Sequence, residues 1–115
     1  MDFNFDGRRF RASENSATGE VSGATLFAYR QDGNIVWGSY EGGGVRCGPL
    51  LALMGENGEL DMRYHHVNLA GALMTGVCRS VPTRLADGRY RVEEMWRWTC
   101  GDGTTGRSVL EEVVD

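Results

Sequence analysis

Turn-forming clusters recur along this chain at short, regular intervals, and no other feature of the sequence restricts its fold as strongly. They stand at Asp32-Gly33-Asn34, Glu41-Gly42-Gly43-Gly44, Glu56-Asn57-Gly58, Ala70-Gly71, Asp87-Gly88 and Gly101-Asp102-Gly103. Gly and Asn accept the positive φ that tight hairpins demand. Six turns join seven strands, and Asp6-Gly7 with a loop from Ser13 to Gly19 brackets one more, about eight in all.

Between the turns the residues alternate with a period of two, as in strands with one buried face. Val21, Gly23, Thr25, Phe27 and Tyr29 form one expected inner face, with Glu20, Ser22, Ala24, Leu26, Ala28 and Arg30 outside. Leu60, Met62, Tyr64 and His66 oppose Asp61, Arg63, His65 and Val67, and Tyr90, Val92, Glu94, Trp96 and Trp98 oppose Arg89, Arg91, Glu93, Met95 and Arg97. In the Ile35–Tyr40 stretch both faces are apolar, so alternation leaves its inner face open. Segment 108–114 reads as a closing strand, and Pro49 and Pro82 are expected at a bulge or strand end, where a missing N–H is tolerated.

Eight short antiparallel strands joined by hairpins leave long unpaired edges unless they close or stack. The sequence therefore predicts an all-β, single domain over residues 1–115. It is an up-and-down meander forming a closed or partly open barrel of lipocalin- or streptavidin-like architecture, with a β-sandwich as the alternative. At 115 residues the chain buries enough surface for one core without a disulfide or metal staple.

Charge and cysteines narrow the function classes. The net charge is -4, and all 12 basic residues are Arg, a pattern that a GC-rich bacterial genome produces. Arg8, Arg9 and Arg11 are the one dense basic cluster and read as a solvated edge, so nucleic acid is not expected as a partner, and no apolar run approaches the length needed to cross a bilayer, so no membrane is expected either. The segment Met1-Asp2-Phe3-Asn4-Phe5-Asp6 lacks the basic and apolar regions of a secretory signal, and Cys47, Cys78 and Cys100 form no C-x-x-C pair. Buried, reduced thiols in a cytoplasmic protein are the expectation. No metal and no cofactor is expected: His65 and His66, adjacent on a strand, point to opposite faces and cannot chelate one ion.

The segments Gly19-Glu20-Val21-Ser22, Gly33-Asn34-Ile35-Val36-Trp37, Met62-Arg63-Tyr64-His65-His66-Val67-Asn68 and Glu94-Met95-Trp96-Arg97-Trp98-Thr99, with Gly101-Asp102 following, resemble a family of small bacterial proteins of uncharacterised function. Members commonly carry an N-acetylglutamate synthase-like label, and the likeness runs from about Gly7 to Glu112. The label implies acetyl transfer, which needs a glycine-rich turn opening a helix to hold a pyrophosphate. The nearest stretch, Arg30-Gln31-Asp32-Gly33-Asn34-Ile35, is a hairpin, so the residues themselves do not supply that machinery. The loop Cys100–Ser108 likewise lacks the Lys-Ser/Thr and helix of a P-loop and reads as a hairpin with Asp102 capping its own backbone.

Glu94 is the most informative residue. It falls on an inner face between Val92 and Trp96, where an isolated carboxylate must be paired, hydrogen-bonded or protonated. His66, Arg79 and Tyr29 are its candidate partners, and Trp37, Trp96 and Trp98 with Tyr29, Tyr40 and Tyr64 are candidates for an aromatic lining. These residues predict a barrel that binds a small planar or amphipathic ligand at Tyr29, Trp37, Tyr64, His66, Arg79, Glu94, Trp96 and Trp98. A second reading is a small enzyme in which Glu94 and His66 perform acid–base chemistry. A third is a homodimeric or structural protein using exposed Val36, Leu26 and Met95.

Overall fold

The computed structural model describes residues 3–114, so Met1, Asp2 and Asp115, included in the domain and leader readings above, lie outside the described residues. Eight strands follow one another: β1 (Arg9–Asn15), β2 (Leu26–Asp32), β3 (Ile35–Gly42), β4 (Val45–Met54), β5 (Leu60–Asn68), β6 (Leu73–Arg84), β7 (Tyr90–Trp98) and β8 (Thr105–Val113). Each pairs antiparallel with the next, and β8 returns to β1 through pairs such as Arg9↔Val113 and Ala12↔Leu110. The sheet is thereby a closed barrel, and the sandwich alternative falls because no edge is left for a second sheet.

The expected hairpins form. In the β2–β3 turn Gly33 takes φ +62°, the positive first central angle that matches the twist of the flanking strands. Asp102 caps its own turn by accepting the Thr104 N–H at 3.2 Å. Pro82 lies where β6 runs past the last β5 pair, Leu60↔Ser80, but Pro49, expected at a bulge or strand end, lies inside β4 opposite Ser39, and the β4–β5 register shift falls earlier, between Val45 and Cys47.

Cross-strand pairing settles what alternation left open. Directly opposed residues share a face, and Phe27↔Tyr40, Tyr29↔Gly38 and Gln31↔Val36 turn Val36 and Tyr40 inward. Trp37 accordingly points outward, 39% exposed, so it is not part of an interior lining, while Val36 is fully buried and unavailable to a partner. Two further expectations are corrected. β2 begins only at Leu26, because the Thr25 N–H bonds the Ser22 carbonyl in a turn, which frees Glu20 from the outer face of a strand. Cys47 is exposed rather than buried, since β4 alternates it outward.

One end of the barrel is plugged by the segment before β1. Phe5 is fully buried, its ring 5.8 Å from Phe10, 5.3 Å from Tyr29 and 5.7 Å from Tyr90. Its backbone N–H donates to Gln31 Oε1 at 2.9 Å, and the Asn4 N–H donates to Tyr90 Oη at 3.0 Å. Arg8, read above as solvated, instead donates to both Glu112 carboxylate oxygens at 2.9 and 3.0 Å and lies 3.8 Å over the Tyr90 ring. A buried carboxylate at Glu112 requires such a partner, and Arg8 Nη1, shared between both oxygens, provides it together with the Tyr90 backbone N–H, which donates at 3.0 Å.

Two wall glycines make room for rings. Gly76 faces Tyr64 and Gly106 faces Trp96 in the register, and a Cβ at either would collide with the opposing ring. The aromatic plane therefore lies against bare backbone. Replacing Gly106 with Ala should destabilise the barrel by about 1–3 kcal/mol, the usual cost of overpacking, and shift Trp emission. Urea titration followed by fluorescence checks this, and an unchanged midpoint would show that the ring is free to move.

Candidate functional site

The inward positions of β2, β3, β5 and β7 gather aromatic rings in the half of the barrel away from Phe5. Phe27 stacks on Tyr40 at 5.1 Å, and Tyr40–Tyr64, Tyr64–Trp98 and Trp96–Trp98 centroids lie 6.3, 6.0 and 5.6 Å apart. They surround a cavity of about 40 Å³, and His66, Glu94 and Ser108 supply polar groups to its wall. A volume of this size admits water molecules but is far below the several hundred Å³ of a drug-sized pocket.

The β1–β2 connection, residues 16–25, folds over this end. Trp98 Nε1 donates to the Thr18 carbonyl at 3.1 Å, and the side chain of Asn15 donates to the Val21 carbonyl. Glu20 reaches in: Oε1 lies 2.7 Å from His66 Nε2, and Oε2 accepts from Asn68 Nδ2 at 2.9 Å. Gly19, Glu20 and Val21 thus form part of the cavity wall.

His66 is 2% exposed and uses both ring nitrogens, with Nδ1 2.8 Å from Tyr40 Oη. An ionised Glu20 can only accept, so Nε2 carries a hydrogen and donates to it. In the neutral imidazole Nδ1 is then the acceptor, and the Tyr40 hydroxyl donates to it. With a neutral imidazole the chain Glu20–His66–Tyr40 commits the Tyr40 proton to histidine and leaves its oxygen lone pairs for another donor, whereas an imidazolium would donate from Nδ1 to Tyr40 Oη. Burial pushes the Tyr40 and Tyr64 hydroxyls well above the ordinary phenol range, so both remain protonated near neutrality.

Glu94 stands across the interior on β7. It accepts from Ser80 Oγ at 3.1 Å, with the Cys78 thiol 3.6 Å from the same hydroxyl. Burial raises its carboxyl to about 7, against the opposing pull of hydrogen bonds from Ser80 and Cys78. Protonated, it is a donor; ionised, an acceptor, and near neutral pH it is poised between the two. Trp96 Nε1 donates to Ser108 Oγ at 2.9 Å, and Ser108 in turn donates to Asn15 Oδ1 at 2.6 Å, which ties β7, β8 and β1 together beneath the loop.

Five of the eight expected ligand-binding residues, Tyr64, His66, Glu94, Trp96 and Trp98, line this cavity. Tyr29 is buried but packs against Phe5 and Phe10 toward the plugged end, and its Oη has no hydrogen-bond partner among the described residues. Trp37 faces outward, as above. Arg79 also lies outside, where β6 alternation places it, and pairs with Glu59. Glu94 therefore bonds to none of the three partners expected for it. Glu20, Asn15, Ser108 and Ser80 are the polar groups that sequence reading missed. Two belong to or border a loop without periodicity, and the two serines are too common in strands to stand out. Among the described residues no group of three or more His, Cys, Asp or Glu side chains is arranged to hold a metal ion.

The carboxyl of Glu94 makes stability depend on pH. Its folded value of about 7 lies above the 4.5 of an ordinary Glu, so the protonated form is what folding favours. That contribution is complete below about pH 4.5, where the unfolded chain holds the proton too, and drains as pH rises toward 7, a loss of order 3 kcal/mol. Glu94→Gln stays neutral throughout, so its stability should fall less than wild type between pH 5 and pH 8. Urea midpoints at the two pH values measure this, and parallel declines in both proteins would refute it.

Comparison with known proteins agrees with the architecture. A family model described as Avidin-like protein matches residues 3–113, which is nearly the whole chain. No curated protein and no solved structure matches it. The N-acetylglutamate synthase-like label finds no support in these comparisons.

Proposed function

The chain belongs to the avidin-like protein family, and from that premise we propose that its barrel interior binds a small planar or amphipathic molecule between Tyr40, Tyr64, Trp96 and Trp98. Avidin-like barrels typically hold small ligands. The observation that carries the reading is that Glu94 and His66 are buried around a void instead of against each other. A core built for stability alone would fill that space with apolar side chains, because each buried polar group costs free energy unless it is answered.

The polarity of the wall restricts the ligand. Tyr40 offers lone pairs, so a ligand N–H or O–H belongs there. Below about pH 7 Glu94 offers a proton, so a ligand acceptor belongs opposite it. The aromatic rings supply the apolar contact between these poles. A molecule of this kind needs more than 40 Å³, and the tip of the loop carrying Glu20 is tied to the barrel by hydrogen bonds from the side chains of His66, Asn68 and Trp98. Entry therefore requires that loop to lift.

Phenol, indole and benzoate serve as probes of increasing size and charge. We expect saturable quenching or shift of Trp emission and a rise in Tm with at least one of them, because binding to the folded state alone stabilises it. Glu20→Ala should strengthen probe binding about tenfold by removing the tether between loop and His66, if that contact is worth roughly 1–2 kcal/mol. Absence of saturable binding in both wild type and Glu20→Ala would overturn the reading.

A further inference from the structure

The Glu20 carboxylate is held the way a bound ligand is held. It arrives from the β1–β2 loop, while both of its partners belong to β5: His66 Nε2 lies 2.7 Å from Oε1, and Asn68 Nδ2 donates to Oε2 at 2.9 Å. The two donors stand two positions apart, so alternation puts both on the same side of the strand. Each is aimed by a bond that does not involve Glu20. Tyr40 Oη holds His66 Nδ1 at 2.8 Å, and Asn68 Oδ1 accepts the Ala72 N–H at 2.9 Å, which turns the amide Nδ2 toward Glu20. Without the loop carboxylate a preorganised pair of donors remains, one for each oxygen of a carboxylate.

We propose, resting on the ligand-binding reading above, that Glu20 is an internal stand-in for a ligand carboxylate, and that the site is self-inhibited until a small monocarboxylate with a flat apolar body displaces it. The incoming carboxylate takes the place of Glu20 on His66 and Asn68, and its body lies among Tyr40, Tyr64 and Trp98. The exchange replaces one acceptor pair with another. Two charge-assisted hydrogen bonds break and two form, and the displaced Glu20, already 25% exposed, passes into water. The His66 side chain is only 1% exposed, so an Nε2–H left without a carboxylate would be a buried, unanswered donor. A carboxamide cannot make the same exchange, because its NH2 group would face one of the two N–H donors. Preference for carboxylate over amide follows from that mismatch.

The β3–β4 turn gives the loop its seat. Gly42, Gly43 and Gly44 lie beneath it: a Cβ at Gly44 would stand 2.7 Å from the Glu20 carbonyl oxygen, and a Cβ at Gly43 or Gly42 would collide with Ser22 Oγ or the Ala24 carbonyl oxygen. Three consecutive glycines thus leave bare backbone against which residues 20–24 close, and Glu20 competes from that seat as a tethered acceptor. A short flexible tether gives an effective concentration of roughly millimolar order. A free carboxylate therefore prevails at comparable concentration, or at a lower one by adding the contacts of its ring.

Calorimetric titration with benzoate and its neutral isostere benzamide tests this, at about pH 6 so that Glu94 is mostly protonated and does not repel the anion. Loss of the tether in Glu20→Ala raises affinity for both probes. The vacated donors should in addition raise the benzoate-to-benzamide affinity ratio about tenfold over wild type. Acetate, which carries the carboxylate without the ring, should raise the Tm of Glu20→Ala and leave that of wild type unchanged, because it refills donors that Glu20 already occupies in wild type. If Glu20→Ala does not fold, Gly44→Ala serves instead. Gly44 does not have a positive φ, so Ala fits the backbone there, and its Cβ displaces the loop while His66 and Asn68 are kept; the ratio should again rise. Saturable binding with the same ratio in wild type and variant, or a Tm of Glu20→Ala indifferent to acetate, would overturn the proposal and reduce Glu20 to a tether, with the ligand-binding reading intact. No saturable binding of either probe to wild type or variant would remove that reading and the proposal with it.

Discussion

Everything else in this structure depends on the pairing of β8 with β1. A meander of seven hairpin-linked strands and a leading strand has two edges, each presenting a row of unsatisfied N–H and C=O groups. Joining Arg9 through Asn15 to Ser108 through Val113 removes both edges at once and converts a flat alternation into an inside and an outside. Closure also creates two open ends, and the chain treats them differently. One is filled by Phe5, anchored through Gln31, Tyr90 and the Arg8–Glu112 pair. The other is covered by a loop that leaves a small polar-walled space beneath it.

That asymmetry explains where chemistry is concentrated. At the plugged end, rings pack on rings, and the buried carboxylate of Glu112 meets a guanidinium, so its charge is compensated. At the covered end, Glu94 meets only hydroxyl and thiol groups, and burial holds it near neutrality as a group able to gain or lose a proton. His66 is held differently again, with one nitrogen bound by a loop carboxylate and the other by a phenol from β3. The glycines at 76 and 106 set the Tyr64 and Trp96 rings against the wall, so the space they border is a property of backbone as much as of side chains. The same alternation that sends these residues inward sends Trp37, Leu51 and Leu53 outward, so interior pocket and exterior face are built by the same strands.

Much of this was legible from residues alone where a single rule had one answer. β5 and β7 each have one apolar face and one charged face, so Met62, Tyr64, His66, Glu94, Trp96 and Trp98 could be placed inside without knowing their neighbours. β3 offered two apolar faces, and only pairing with β2 chose between Trp37 and Val36. Arg79 was expected near Glu94 because a buried carboxylate calls for a cation, yet parity on β6 sends it to the other side of the wall. Glu20 was invisible because its position depends on how a loop crosses an open end.

The sequence by itself determined the turns, most of the strands and the all-β antiparallel class, but not whether the meander closes as a barrel or stacks as a sandwich, because glycine-dependent turn geometry and period-two alternation are local properties of neighbouring residues. Only the tertiary structure decided which of β3's faces is core, what answers Glu94 and His66, and how the two ends are sealed. Those outcomes rest on contacts between residues as far apart as Arg8 and Glu112 or Glu20 and His66. Closure brings such residues together, and no local periodicity encodes the distance between them.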